Sequence, residues 1–205
     1  MFHVTKSIDI DFAHHVAGHL GPCINIHGHT WKFELTLSAH SLDDNGFVVD
    51  FKELKRLVLE PVHAMLDHGL ALAARQLFAR GPGSHEFPLL SALTTVGEQL
   101  FSTVTEVHGQ GAACCNRWQC HKRLVWLQNR EYEIQGESHI CGAYDMEVGG
   151  TKVIAFPFTP TSERLAKWFY EVACNTLGDE RVTVTKARVY ETLHPVESFA
   201  DFTID

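Results

Sequence analysis

The chain has 205 residues, of which 45% are hydrophobic and 20% charged, with a formal net charge of −8 and a pI near 5.9. That length fits one domain, or one domain with a large insertion, and the composition can bury a core, which excludes wholesale disorder. The acidic balance argues against a nucleic-acid binder that works by phosphate neutralisation. No run approaches the roughly 18 apolar residues a membrane helix needs, and the N-terminus lacks the basic-then-apolar pattern of a secretory signal. We therefore expect a cytoplasmic protein with its six cysteines mostly reduced.

In chain order, Phe2–Phe12 places Phe2, Val4, Ile8, Ile10 and Phe12 at even positions, the period of a strand with one buried face. Thr30–Ala39 alternates likewise through Trp31, Phe33, Leu35 and Leu37. Asp43-Asp44-Asn45-Gly46 is a turn. Asp50 is placed to cap a helix, with Glu53 at the third position as in a capping box, and Phe51, Leu54, Leu57 and Val58 form its apolar stripe. Pro61 is expected to kink or split that helix. Near the other end, Pro160 marks a helix start, Leu165, Trp168, Phe169, Val172 and Ala173 form a stripe, and Gly178 is a stop. Val182, Val184 and Val189 predict a long strand whose period shifts across Lys186-Ala187, and Phe199–Ile204 a last strand. The core therefore reads ββα–αββ.

Between these halves lies a segment of about 80 residues, roughly Ala73–Phe156, too long for a plain loop. It carries Gly81-Pro82-Gly83, a helical pattern over about Leu89–Val104, a loop at Gly109-Gln110-Gly111, and strand-like stretches at Leu124–Leu127 and Glu131–Ile134. We read one domain with its core in residues 1–72 and 157–205 and an ordered insertion over 73–156.

Fourteen histidines are unusual in a chain of this length, and His14, His15, His19, His27 and His29 lie close together. In His27-Gly28-His29, two imidazoles two apart on a strand share a face, and Gly28 lets another chain or a ligand approach closely. His14, at the end of the first strand, is the natural third ligand. Three protein ligands with a fourth position open is the pattern of a catalytic zinc rather than a structural one; the plainer alternative is surface histidines in a hairpin. Cys23 stands four residues before His27, where a nearby dication would lower its pKa and suit it as base or nucleophile; most lone cysteines are small buried hydrophobes. In Asp67-His68 the carboxylate can orient the imidazole and stabilise its charged form. Glu191 is either a solvated strand residue or a carboxylate that accepts two parallel N–H donors from a guanidine-like heterocycle edge.

Phe12-Ala13-His14 followed by Cys23-Ile24-Asn25-Ile26-His27-Gly28-His29 resembles the 6-pyruvoyltetrahydropterin synthase and 6-carboxytetrahydropterin synthase family. Gly46-Phe47-Val48-Val49-Asp50-Phe51, Leu66-Asp67-His68, Pro160-Thr161-Ser162-Glu163 and Tyr190-Glu191-Thr192 resemble further family motifs in the right order. The Cys-x3-His-Gly-His spacing is similar to the carboxytetrahydropterin branch; the pyruvoyl branch has a longer gap. The resemblance implies a tunnelling fold of the α+β class: a four-stranded antiparallel sheet with two helices on one face, subunits closing into a barrel, a dimer of trimers being usual. It implies Zn2+ on His14, His27 and His29, proton transfer by Cys23 and by Asp67 with His68, and Glu191 on the pterin edge. The implied substrate is 7,8-dihydroneopterin triphosphate. The implied products are 6-carboxy-5,6,7,8-tetrahydropterin, a precursor of 7-deazaguanines such as queuosine, with acetaldehyde and triphosphate; the alternatives are a 6-pyruvoyltetrahydropterin synthase, which eliminates triphosphate without cleaving the side chain, and a non-catalytic pterin- or metal-binding protein. The implied partners are that small molecule and further copies of the chain, not nucleic acid or membrane.

The sequence departs from the family at His15, where many relatives have Arg, at Arg164, where Asn is common, and at Gly69-Leu70-Ala71-Leu72, where an Asn usually follows Leu-Asp-His. The large departure is the 73–156 segment. Its Cys114, Cys115, Cys120, His121, His139 and Cys141 could form a second metal site but fit no usual zinc spacing, and reduced cysteines are the plainer reading; Arg117, Lys122, Arg123 and Arg130 could meet a triphosphate, with a solvated basic face the plainer reading.

Overall fold

The computed structural model describes residues 1–73, 124–127, 130–133, 139–140, 143–148, 150–177 and 179–204. Two 13-residue strands, β1 (Phe2–His14) and β2 (His27–Ala39), pair antiparallel in unbroken register from Phe2 with Ala39 to His14 with His27. The even positions of β1 and the odd positions of β2 share one face, so Ile10, Phe12, Trp31, Phe33, Leu35 and Leu37 are all buried together. Strand β9 (Val182–Thr192) pairs with β2, and β10 (Ser198–Thr203) with β9, both antiparallel. These four strands and the helices packed on one face are the expected α+β core.

The first helical run comprises α1 (Phe51–Leu54), a π-helical turn over Lys55–Leu59 and α2 (Glu60–Leu66). Asp50 caps it, its carboxylate accepting from the Lys52 amide at 2.7 Å. The other half of a capping box is not made, because Glu53 binds Arg56 instead. Pro61 does not split the helix. A proline ring clashes with the carbonyl four residues back, here Leu57, and the preceding turn is widened, the Glu60 amide reaching Lys55 O. Helix α3 (Ser162–Thr176) begins after Pro160 and buries Leu165, Ala166, Trp168, Phe169, Val172 and Ala173. Both helical runs and the inner sheet face form one cluster. At about 1.5–3 kcal/mol for each large apolar side chain fully buried, this cluster dominates stability.

The period shift in β9 has a local cause. Leu37 pairs with Val184 and Thr36 with Lys186, so Thr185 is an extra residue, a bulge tied by its hydroxyl to Thr36 O at 3.1 Å. Val184, Ala187 and Val189 can then all face inward.

The sheet continues beyond β1. Strand β3 (Leu70–Ala73) runs parallel to β1 at Ala13 and His14. Strand β8 (Thr151–Phe156) runs parallel to β3, from Leu70 with Val153 to Ala73 with Phe156. Beyond it come β7 (Ala143–Val148) and β6 (His139–Ile140), both antiparallel to their neighbours, while β4 (Leu124–Leu127) and β5 (Arg130–Glu133) form a separate pair. Among the described residues the main sheet therefore runs β10-β9-β2-β1-β3-β8-β7-β6. Both faces of β3 are covered: Leu70 and Leu72 pack with Val153 and Ala155 on one side, and Ala71 joins the main core on the other. Sequence reading ended the core at residue 72 and resumed it at 157; the strands at both junctions lie in the same sheet as β1.

The expected helix over about Leu89–Val104, Gly109-Gln110-Gly111, and Cys114, Cys115, Cys120, His121 and Cys141 with Arg117, Lys122 and Arg123 lie outside the described residues, as does Gly178. Among the described residues no helix is long and apolar enough to cross a membrane.

Candidate active site

His14 ends β1 and His27 opens β2, so cross-strand pairing sets them side by side, and His29 follows on the same face. Glu191 joins them from β9: Tyr190 pairs with Lys32, which turns the next residue toward the core side. The result is three imidazoles and one carboxylate whose ligand atoms all lie within 4.8 Å of one another. Trp31 lies edge-on to His14 and His29, its ring stacks on Phe12 at 4.7 Å, and its indole N–H donates to Phe12 O at 3.2 Å. That fully buried ring fixes the two imidazoles from below.

Hydrogen bonds set the tautomers. His14 Nδ1 lies 2.8 Å from Pro160 O, and His27 Nδ1 lies 2.8 Å from Asn25 O. A carbonyl only accepts, so both Nδ1 atoms carry the proton and donate. In the neutral rings both Nε2 atoms then present lone pairs, yet they stand only 3.1 Å apart. Two lone pairs facing each other repel; a cation between them turns repulsion into coordination. His29 Nε2 is buried without a hydrogen-bond partner. Glu191 Oε1 lies 3.4 Å from His14 Nε2 and 3.7 Å from His29 Nε2. A tetrahedral metal with bonds of about 2.1 Å separates its ligands by about 3.4 Å, so the donor set fits a dication, and imidazole-rich sets suit zinc among others.

The electrostatics agree. Burial pushes His29 below its ordinary value; Glu191 opposes the shift, and His14 and His27 add to it. Glu191 is held below the usual carboxylate range by its closeness to His14 first and to His29 and His27, against the effect of burial. The shifts at His29 and Glu191 thus favour a neutral ring and an ionised carboxylate, the forms that bind metal.

Cys23 is half-buried and reduced, on a single 3-10 turn (Pro22–Ile24) in the loop that joins His14 to His27. The Val16 amide donates to Cys23 O at 3.0 Å, tying that turn to the end of β1. His15 is buried beneath the same loop, with a hydrogen bond to the Ile24 backbone.

Asp67 and His68 sit at the end of α2. His68 Nδ1 and Asp67 Oδ2 are 2.8 Å apart, and His63 Nε2 stands 3.9 Å from the other carboxylate oxygen. Burial pushes the Asp67 carboxyl up, but the His68 hydrogen bond, the neighbouring imidazoles and the Asp11 backbone outweigh it, so the net shift is downward. His68 has a left-handed backbone, φ 58°, and its side chain is 81% exposed. Among the described residues this pair makes no hydrogen bond or ion pair with the histidine cluster.

Sequence reading therefore selected residues that the fold groups as one four-residue cluster (His14, His27, His29, Glu191), one loop cysteine and one separate acid–base pair. It did not single out Trp31 as the floor, the Pro160 and Asn25 carbonyls as tautomer-setting acceptors, or His63 beside Asp67. The i, i+4 spacing of His63 and Asp67 on a helix was the one available signal for the last.

A sequence model of the family described as 6-pyruvoyl tetrahydropterin synthase matches residues 3–200. The 6-carboxy-5,6,7,8-tetrahydropterin synthase of Rickettsia typhi is 38% identical over 72 residues, 35% of this chain and 52% of that protein. The Bacillus subtilis protein of the same name is 39% identical over 70 residues, 34% of this chain and 45% of that one. The chain thus spans about half the length of these curated relatives. The crystal structure of an uncharacterized protein from Wolinella succinogenes is similar with a TM-score of 0.58 at 19% identity, covering 100% of this chain and 98% of that one, a likeness of fold alone.

Proposed function

The chain belongs to the 6-pyruvoyl tetrahydropterin synthase family, and from that premise we propose that it is a zinc-dependent 6-carboxytetrahydropterin synthase. It would convert 7,8-dihydroneopterin triphosphate, with one water, into 6-carboxy-5,6,7,8-tetrahydropterin, acetaldehyde and triphosphate, in the cytoplasm, on a route to 7-deazaguanines such as queuosine. The observation that carries the reading is the convergence of His14, His27 and His29 with both Nδ1 protons of the first two committed to carbonyls. The Cys23-x3-His27-Gly28-His29 spacing and the names of the relatives favour the carboxy branch.

His14, His27 and His29 would hold the zinc, which when bound supplies a Lewis acid for the oxygens of the substrate side chain. Cys23 takes and returns a proton at the side-chain carbons as the thiolate. Asp67 orients His68 through Nδ1, which leaves His68 Nε2, on an exposed ring, as the second proton-transfer atom. Glu191 keeps one oxygen toward His14 and His29 and offers the other to the amino and N–H edge of the pterin.

The exposure of His68 and its separation from the cluster support a site completed between subunits. The outer edge of β10 and the edge of β1 before Ala13 are unpaired among the described residues. β1 and β10 point in opposite directions, so β10 of one copy can pair antiparallel with β1 of the next. We propose that copies close into a barrel this way, the hexamer being the family's usual state.

The test is one reaction: zinc-loaded protein with 7,8-dihydroneopterin triphosphate, products followed by mass spectrometry. Carboxytetrahydropterin with acetaldehyde is the expected result. Loss of triphosphate with the three-carbon side chain intact would replace the reading with the pyruvoyl reaction, and no turnover by fully metallated protein would sink both.

A further inference from the structure

Lys152 lies on β8, the strand that closes the 73–156 segment, but its ammonium reaches across to the end of α2. Nζ donates to Ala64 O at 2.7 Å and to Asp67 O at 2.9 Å. A cation at the C-terminal end of a helix meets carbonyls that lack intrahelical partners and the negative end of the helix dipole. The second bond has a further consequence. Asp67 C=O and His68 N–H belong to the same peptide unit, and the N–H donates to Asp11 O of β1 at 2.7 Å. The peptide that joins the acid–base pair is therefore held at both ends, by β8 on one side and by β1 on the other.

Ile154, two residues further along β8, reinforces this. A Cβ built on Gly69 would run into the Ile154 terminal methyl and come within 3.0 Å of Leu66 O. The Gly69 φ is not positive, so what favours glycine here is packing: a side chain would have to displace that methyl. The Gly69 amide bonds to Leu66 O and its carbonyl accepts from the Ala13 amide. Meanwhile His68 occupies left-handed backbone, a conformation that costs a non-glycine residue energy and persists only where the surroundings fix it.

We infer that Lys152 is a positioning residue for the Asp67–His68 pair, so that the strand ending the inserted segment is part of the catalytic apparatus. Its role in turnover rests on the function proposed above; its role in geometry does not. With the peptide plane fixed from both sides, the Asp67 carboxylate and the His68 ring start from one backbone geometry. Without Lys152 the unit can rotate about the Asp11 bond alone, and the exposed His68 ring moves with it. Displacement of a reacting group by about 1 Å can cost about 10²-fold in rate.

The experiment compares the full-length metallated protein with Lys152→Met and Lys152→Arg, by steady-state kinetics, metal content and amide hydrogen exchange. Methionine keeps most of the buried stem without the donors; arginine keeps donors and charge. For Lys152→Met we expect kcat to fall about 10²-fold with KM within about twofold, metal unchanged, and the His68 amide exchanging about tenfold faster. Lys152→Arg should recover most of kcat and the amide protection. Unchanged kcat and unchanged His68 exchange in Lys152→Met would overturn the proposal. So would a loss of protection spread evenly over β8 and the core, or failure of arginine to rescue a folded protein. If the wild type shows no pterin turnover, the proposed function fails, and the exchange of the His68 amide still decides the clamp.

Discussion

His14, His27 and His29 stand on two fully paired strands above a buried tryptophan, whereas Asp67 and His68 stand on a turn with one ring almost fully in solvent. In the first region, side-chain placement follows from strand register, since a one-residue slip of β1 against β2 would leave His14 on the opposite face from His27 and His29. In the second, placement depends on bonds to one peptide unit from two different strands. A metal centre needs several ligand atoms fixed to a few tenths of an ångström, which a hairpin supplies. A proton-transfer pair that meets a partner subunit or substrate needs exposure, and its precision then comes from supports outside its own element.

The contrast makes separable predictions. The largest effect is expected for His27→Ala: metal content by elemental mass spectrometry falls well below the wild-type level and turnover disappears, because one of the three imidazoles that would hold the metal is lost. Equal metal in variant and wild type would remove His27 from the ligand set. Cys23→Ala should retain the metal and lose about 10²–10⁴-fold in kcat, the range for a single proton-transfer group. Loss of metal in that variant would make Cys23 a ligand.

Asp67→Asn should also retain the metal and lose about 10²-fold in kcat. Because the folded-state value of Asp67 is depressed, its contribution to stability is present above the ordinary value of about 3.9 and is lost as pH falls through the folded value. The wild-type carboxylate should therefore titrate below its ordinary value of about 3.9, read from its carbon chemical shift; titration at or above that value would show that the pair is not formed. The smallest effect is expected outside both regions, at Arg188–Asp201, where the Arg188 hydrogen bond lowers the Asp201 carboxyl despite burial. Asp201→Asn should cost at most about 1 kcal/mol, visible above pH 4 and vanishing as the wild-type carboxyl protonates, with kcat and metal unchanged. A change in kcat would extend the site to the other face of the sheet.

Much of this was legible in sequence for a definite reason. Strands with one solvated face alternate, so β1 and β2 declared themselves, and His14, His27 and His29 inherited their common face from that alternation. Leu70-Ala71-Leu72-Ala73 gave no such sign, since both faces of β3 are covered and a doubly buried strand shows no period two. Sequence reading noted Gly69-Leu70-Ala71-Leu72 only for the Asn missing there and assigned it no strand; Leu70–Ala73 is a strand beside β1. The place of Glu191 against the histidines depends on the pairing of Tyr190 with Lys32, and Lys152 on a contact across 85 residues of sequence, which no local pattern encodes.

Parallel pairing of β3 with β8, and antiparallel pairing of β8 with β7, sets Ala73, Phe156 and Ala143 at the same end of three adjacent strands. Two strand spacings amount to about 10 Å, a gap that about five residues can bridge. The end of β3 and the start of β7 are therefore neighbouring points, and the two-residue β6 is the one described strand of the main sheet that lies between them in sequence. A short connector from Ala73 to Ala143 should keep β7, β8 and the Lys152 bond in place, at a loop-closure entropy no greater than that of the natural connection.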